Sequence, residues 1–61
     1  MIVNYIYNIL VYFEAYNILR EILSMDPKKA EAYFYIGFLY EHGFGVELSE
    51  KLSIYHFEKA S

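Results

Sequence analysis

Two interruptions, Asp26-Pro27 and Gly43-Phe44-Gly45, divide a chain of otherwise helical pattern into three segments. Proline suits the opening turn of a helix, and Asp26 beside it suits the cap. The two glycines permit left-handed backbone angles that close a helix and that other residues avoid. Ser49 then stands where an N-cap belongs, with Glu50 in the following turn and Lys59 in the last, the order that a helix dipole favours. No run alternates with period two for long enough to make a strand. The expected fold is all-α, with three helices: one long helix from about Ile2 to Met25, a second over residues 27–42 and a third over 49–60.

The first segment carries a stripe of Ile2, Tyr5, Ile9, Tyr12, Tyr16, Leu19 and Leu23, spaced alternately three and four. Its polar side is less regular. Asn4 and Asn8 lie on one face, and Glu14, Asn17, Glu21 and Ser24 lie roughly 140° away, so the buried direction is expected to change near Tyr12. No charged side chain precedes Glu14. Thirteen helical residues nevertheless span only about 20 Å of the roughly 30 Å needed to cross a bilayer. The segment also lacks the basic start of a signal peptide. These features disfavour a membrane anchor, which remains the alternative class: a small membrane-associated protein held by its uncharged first helix.

In the second helix Ala30, Tyr33, Ile36, Gly37 and Tyr40 share a sector of about 120°. Gly37 costs about 1 kcal/mol against alanine in a helix interior, and close approach of a neighbouring helix is the usual compensation. Ser53, Phe57 and Ala60 make a matching stripe on the third helix. Antiparallel packing of the second and third helices, with Gly37 near the crossing, follows.

The segment from Ala30 onward resembles one complete Sel-one-like repeat, a relative of the tetratricopeptide repeat. The residues that carry the resemblance are Ala30, Ala32, Ile36, Gly37, Tyr40, Gly43, Gly45, Val46, Ser49, Leu52, Ser53, Phe57, Lys59 and Ala60. Three of them depart from the family's usual choice: Ser49 for an acidic residue, Leu52 for lysine and Ser53 for alanine. In the same register Asp26-Pro27 falls at the close of a preceding tetratricopeptide-like repeat, Ala15 at its small second-helix position and Leu19 at its large apolar one. Leu10-Val11-Tyr12 holds no turn residue where that repeat would turn, hence the expectation of a single long helix. The resemblance implies two units, residues 1–29 as a long helix ending a preceding repeat and 30–61 as one Sel-one-like repeat. It also implies a non-enzymatic scaffold or interaction module that binds protein or peptide.

Composition agrees with a chain that needs a neighbour. The chain has 61 residues, 57% apolar and 21% aromatic, and a single small domain cannot hide that many rings. Repeat proteins generally need three or more units, and about one and a half are present. A homo-oligomer or membership of a longer array is therefore expected, with self-association through the stripe of the first helix. A structural remnant of such an array is a further alternative.

Other classes find little support. A net charge of −3 without a basic cluster argues against nucleic acid. The absence of cysteine removes disulfides, thiolate zinc sites and thiol nucleophiles while leaving the compartment open. His42 and His56 lack metal-ligand spacing, and there is no nucleophile elbow or phosphate loop. His42 suits a helix C-terminus, and His56 stands at an aromatic position of the repeat. The carboxylates sit near caps or on exposed faces rather than in a pocket that would tune them for acid–base work. No enzyme activity, cofactor or metal is expected.

The second helix offers the candidate site. Glu31, Tyr35, Phe38 and His42 form a stripe turned away from the Gly37 side, with Phe34 between the two. Carried over from tetratricopeptide repeats position by position, the groove lining falls on Glu31, Phe34, Phe38 and Glu41. The candidate partner-binding residues are thus Glu31, Phe34, Tyr35, Phe38 and Glu41, an apolar patch with acidic edges.

Overall fold

The structure, a computed structural model, describes residues Met1–Ser61. Three helices and no strand make up the chain: α1 (Ile2–Met25), α2 (Ala30–His42) and α3 (Glu50–Ala60). The long first helix is continuous, as expected from the missing breaker at Leu10-Val11-Tyr12. Its 24 residues cover about 36 Å at 1.5 Å each, nearly the whole 37 Å length of the molecule.

The second helix begins later than Pro27. Asp26 closes α1 instead of opening α2, its N–H donating to the Ile22 carbonyl at 2.8 Å. Its own carbonyl then accepts from Lys29 N–H at 3.1 Å, and its side chain from Lys28 N–H at 3.4 Å. Pro27 therefore occupies the second position of a β-turn, where its fixed φ is equally suited, and Lys29 becomes the N-cap of α2. The Tyr33 hydroxyl donates to the Pro27 carbonyl at 3.0 Å and ties this turn to the helix that follows.

α2 is the middle helix, packed against both α1 and α3. Tyr33 meets His56 and Phe34 meets Phe57 at its N-terminal end, whereas Glu41 lies beside Glu50 and Ser53 at its C-terminal end, so α2 and α3 run antiparallel. Gly37 is at the contact: a Cβ placed on it would lie 2.8 Å from Phe57 Cδ1. The costly mid-helix glycine is thereby explained, since only hydrogen fits beneath that ring.

The loop after α2 closes with Gly43 at φ 67° and ψ 35°, and both Gly43 N–H and Phe44 N–H point back to the Leu39 carbonyl. At the far side of the loop the Ser49 hydroxyl accepts from Leu52 N–H at 3.1 Å, the N-cap that its position promised.

The core is small. Only 5 of 61 residues are buried, Ala32, Ile36, Gly37, Leu39 and Ser53, which is too little for a self-sufficient domain of ordinary stability. Ala30, expected in the packed sector, is exposed, while Ala32 and Leu39 are buried. With α1 on one flank and α3 on the other, α2 buries a wider arc than a sector facing α3 alone. The stripe of α1 is engaged only from Tyr12 onward: Tyr12, Tyr16, Leu19 and Leu23 are half-buried, and Ile2, Tyr5 and Ile9 are exposed. The second half of that stripe serves intramolecular packing and is not free for another copy.

Candidate protein-binding surface

The patch on α2 arises because its 13 residues have two packed flanks and one free arc. Glu31, Phe34, Tyr35, Phe38 and Glu41 all lie on that arc and all are exposed. They do not line one groove. Glu31, Phe34 and Tyr35 edge a shallow hollow with Ala30 and Ala60. Glu41 edges a second hollow with Leu48, Ile54 and Phe57.

Phe34 and Phe57, with ring centroids 5.5 Å apart, stand between those hollows. The apolar track consequently follows the outer seam between α2 and α3, from Ala60 past Phe34 and Phe57 to Ile54 and Leu48. Glu31, Glu41 and Glu50 flank it and give it a negative border. Phe38 leaves this track for a separate aromatic cluster, 4.5 Å from the His42 ring and 5.9 Å from Phe44.

Phe44, the middle residue of the glycine loop, is the hub of that cluster. Its ring stacks on Tyr12 of α1 at 4.6 Å and on His42 at 5.1 Å, so one side chain joins the loop to two helices. The adjoining Gly45 makes this possible: at φ 72° it lies against the α1 backbone, and a Cβ there would sit 2.5 Å from Phe13 N and 2.6 Å from the Tyr12 carbonyl carbon. The sequence marks Gly45 as a turn residue, and the helix contact emerges only once α1 is in place.

The largest concavity, about 610 Å³, lies beside this loop, between residues 43–47 and the overhanging start of α1. Tyr5, Asn8, Ile9 and Tyr12 form its α1 wall. Tyr5, Ile9 and Tyr12 belong to the stripe expected to self-associate, whereas Asn8 and a concavity shared with the glycine loop were not foreseen. The available signal was the mismatch in length between α1 and α2, which leaves one end of α1 with nothing beside it.

Polar chemistry concentrates at one place between α1 and α2. The Tyr16 and Tyr40 hydroxyls are 3.1 Å apart, and Arg20 donates to Tyr16 at 2.9 Å. Burial pushes Tyr40 up, reinforced by its hydrogen bond to Tyr16 and by the charge that Tyr16 acquires, to about 12. For Tyr16 burial acts upward too, but the hydrogen bonds from Tyr40 and Arg20 and the Arg20 charge outweigh it and set the phenol below its ordinary value. The pair thus gives up one proton early and holds the other. His56 is partly buried between helices, with its ring stacked on Tyr40 at 5.4 Å and its Nδ1 2.8 Å from the Leu52 carbonyl. His42 lies 3.8 Å from the Glu41 carboxylate in the last turn of α2. No three His, Asp or Glu side chains gather closely enough to hold a metal ion, and no helix is long and apolar enough to cross a membrane.

No protein-family model, curated protein or solved structure matches the chain.

Proposed function

We propose that the chain is a non-enzymatic protein-interaction module built from helical-repeat elements. In this reading α2 and α3 form one Sel-one-like hairpin and α1 is the closing helix of a tetratricopeptide-like neighbour. The observation that carries the reading is the fit between pattern and packing. Gly37 lies beneath the Phe57 ring, Gly43 and Gly45 hold left-handed angles, and Ser49 caps the returning helix. Gly37, Gly43 and Gly45 are positions of the pattern that carries the resemblance, and Ser49 caps the helix where the family usually has an acidic residue.

The binding surface in this reading is the α2–α3 seam with Phe34 and Tyr35 at one end, Glu41 at the other, and Phe38 beside it. Its partner is a peptide segment presenting apolar anchors with basic flanks, since Glu31, Glu41 and Glu50 border the track. The uncovered α1 is taken to meet a further repeat or a second copy.

Selection of displayed peptides against the immobilised chain tests this. Selected sequences should carry paired apolar anchors and Lys or Arg. Truncating Phe34 or Phe38 to alanine should weaken a selected peptide by at least about fivefold, as anchors do when each contributes more than about 1 kcal/mol. The helical spectrum should persist. Absence of any binder, or binders indifferent to both substitutions, refutes the assignment.

A further inference from the structure

Arg20 has no carboxylate partner. Its helix neighbours three and four positions away are Tyr16, Asn17, Leu23 and Ser24, and the one close charge pair in the chain is Glu41 with His42. Its guanidinium is nevertheless held in place. One N–H donates to the Tyr16 hydroxyl at 2.9 Å, and the guanidinium carbon stands 5.8 Å from the centre of the Tyr16 ring. The remaining N–H groups of that planar fork are left free.

Arg20 borders a hollow of about 410 Å³ with Leu23, Ser24, Tyr33, Tyr55 and His56, so all three helices contribute a wall. The contacts that assemble it run from Arg20 through the Tyr16 and Tyr40 hydroxyls, 3.1 Å apart, to the His56 ring stacked on Tyr40. Its hydroxyls are unequally available. Tyr33 donates to the Pro27 carbonyl and Ser24 to the Glu21 carbonyl. Tyr55, 50% exposed, keeps its hydroxyl unengaged, and Lys59 Nζ lies 5.7 Å from the centre of its ring. No carboxylate lines this hollow. The two seam hollows carry Glu31, Glu41 and Glu50, and the cleft beside the glycine loop carries Glu47.

We propose that the Arg20 hollow binds a phosphate monoester with a flat apolar body. Phosphoryl oxygens take the free edge of the Arg20 guanidinium and the Tyr55 hydroxyl, with Lys59 balancing the second charge. The body lies against Leu23 and the Tyr33 and His56 rings. Such an ester carries about −1.5 to −2 at pH 7, which Arg20 and Lys59 match together. It also offers three oxygens to donors arriving from α1 and α3. A carboxylate has one charge and two oxygens in one plane, which Arg20 alone would satisfy. The hollow shares no residue with the α2–α3 seam and acts whether or not that seam takes a peptide.

Phenyl phosphate is the probe, added to the isotope-labelled chain against sodium chloride of equal ionic strength. Amide shifts should move saturably at Arg20, Ser24, Tyr33, Tyr55 and His56, with a dissociation constant of about 1 mM or below. Inorganic phosphate, which lacks the body, and benzoate, which lacks the second charge, should each bind at least about fivefold more weakly. Arg20→Gln should weaken phenyl phosphate by at least about tenfold with the helical signal intact, because Arg20 is exposed. Phe34→Ala should leave it unchanged. The wild-type chain supplies a second readout. Against the upward push of burial, the hydrogen bonds from Tyr40 and Arg20 and the Arg20 charge hold the Tyr16 phenol low. A bound dianion offsets that charge, so the early tyrosinate step should move to higher pH when phenyl phosphate is present. Shifts that never saturate overturn the proposal, as do shifts that survive Arg20→Gln or vanish with Phe34→Ala. Benzoate or inorganic phosphate binding as tightly as phenyl phosphate, or a tyrosinate step unmoved by the ligand, overturns it equally.

Discussion

Gly45→Ala should be the most damaging single methyl group that can be added to this chain. An L-residue at φ 72° costs about 1–2 kcal/mol in the left-handed region. The larger effect is steric. The new Cβ would stand 2.5 Å from Phe13 N and 2.6 Å from the Tyr12 carbonyl carbon, both backbone atoms that no rotamer change can move aside. Ordinary carbon contacts lie near 3.5–4.0 Å, so the loop must retreat by about 1 Å. That retreat disturbs the Tyr12–Phe44 stack, an interaction of about 0.5–1.5 kcal/mol beyond its area. Overpacking adds about 1–3 kcal/mol. The total, about 2.5–6.5 kcal/mol, is a heavy loss for a chain with only 5 buried residues, whose stability falls below ordinary per-residue values. Gly43→Ala is the control. It shares the positive φ, but its Cβ would meet Leu48 Cβ at 3.0 Å and the Leu48 backbone at 3.4 Å, a clash that a few tenths of an ångström of loop movement relieves. Urea unfolding followed by circular dichroism should therefore place Gly45→Ala at least about 2 kcal/mol below Gly43→Ala. Equal midpoints for the two variants would refute the argument that loop backbone lies against helix backbone at Gly45.

Three further outcomes follow from the same packing. Gly37→Leu should abolish folding, because a Cβ alone would already press on Phe57 at 2.8 Å; wild-type helicity and melting temperature in that variant would contradict it. Ser49→Ala removes the cap bond to Leu52 N–H and should lower stability by about 1 kcal/mol in the same urea assay, with an unchanged midpoint as the contrary result. Tyr40 should be the last phenol to ionise. Its folded pKa of about 12 lies above the unfolded value of 10.0, so its contribution to stability is intact below pH 10.0 and is lost as pH rises towards 12. Ultraviolet titration should show a final tyrosinate step that disappears in Tyr40→Phe; an identical curve for that variant counts against the pairing with Tyr16.

How far residues reveal this structure depends on whether the determining interaction is local. The stops at Asp26 and Gly43 and the cap at Ser49 were legible, because capping is settled within a few residues. The Gly37–Phe57 contact was legible as well, since a glycine inside an apolar helical stripe marks where a neighbouring helix comes close. The start of α2 was misplaced by three residues because proline is equally at home in a helix's first turn and in a β-turn. The preceding Asp26 had already been taken by α1. Burial of Ala32 and Leu39 depended on which flank α1 would cover. Phe44 joining Tyr12 across the loop is a tertiary contact with no signature of its own. The candidate patch was legible as exposed aromatics, whereas its division between the α2–α3 seam and the Phe44 cluster came from where Phe57 and Phe44 lie.

The most direct test of the interaction-module account is amide chemical-shift mapping of the isotope-labelled chain titrated with a selected peptide. The account predicts saturable shifts along the outer seam, at Phe34, Tyr35, Glu41, Ile54 and Phe57, with little change at Tyr5, Asn8 and Ile9 in the cleft beneath α1. Shifts concentrated in that cleft, or along Val3, Tyr7 and Leu10 with the seam silent, would contradict it and move the binding site off the α2–α3 hairpin.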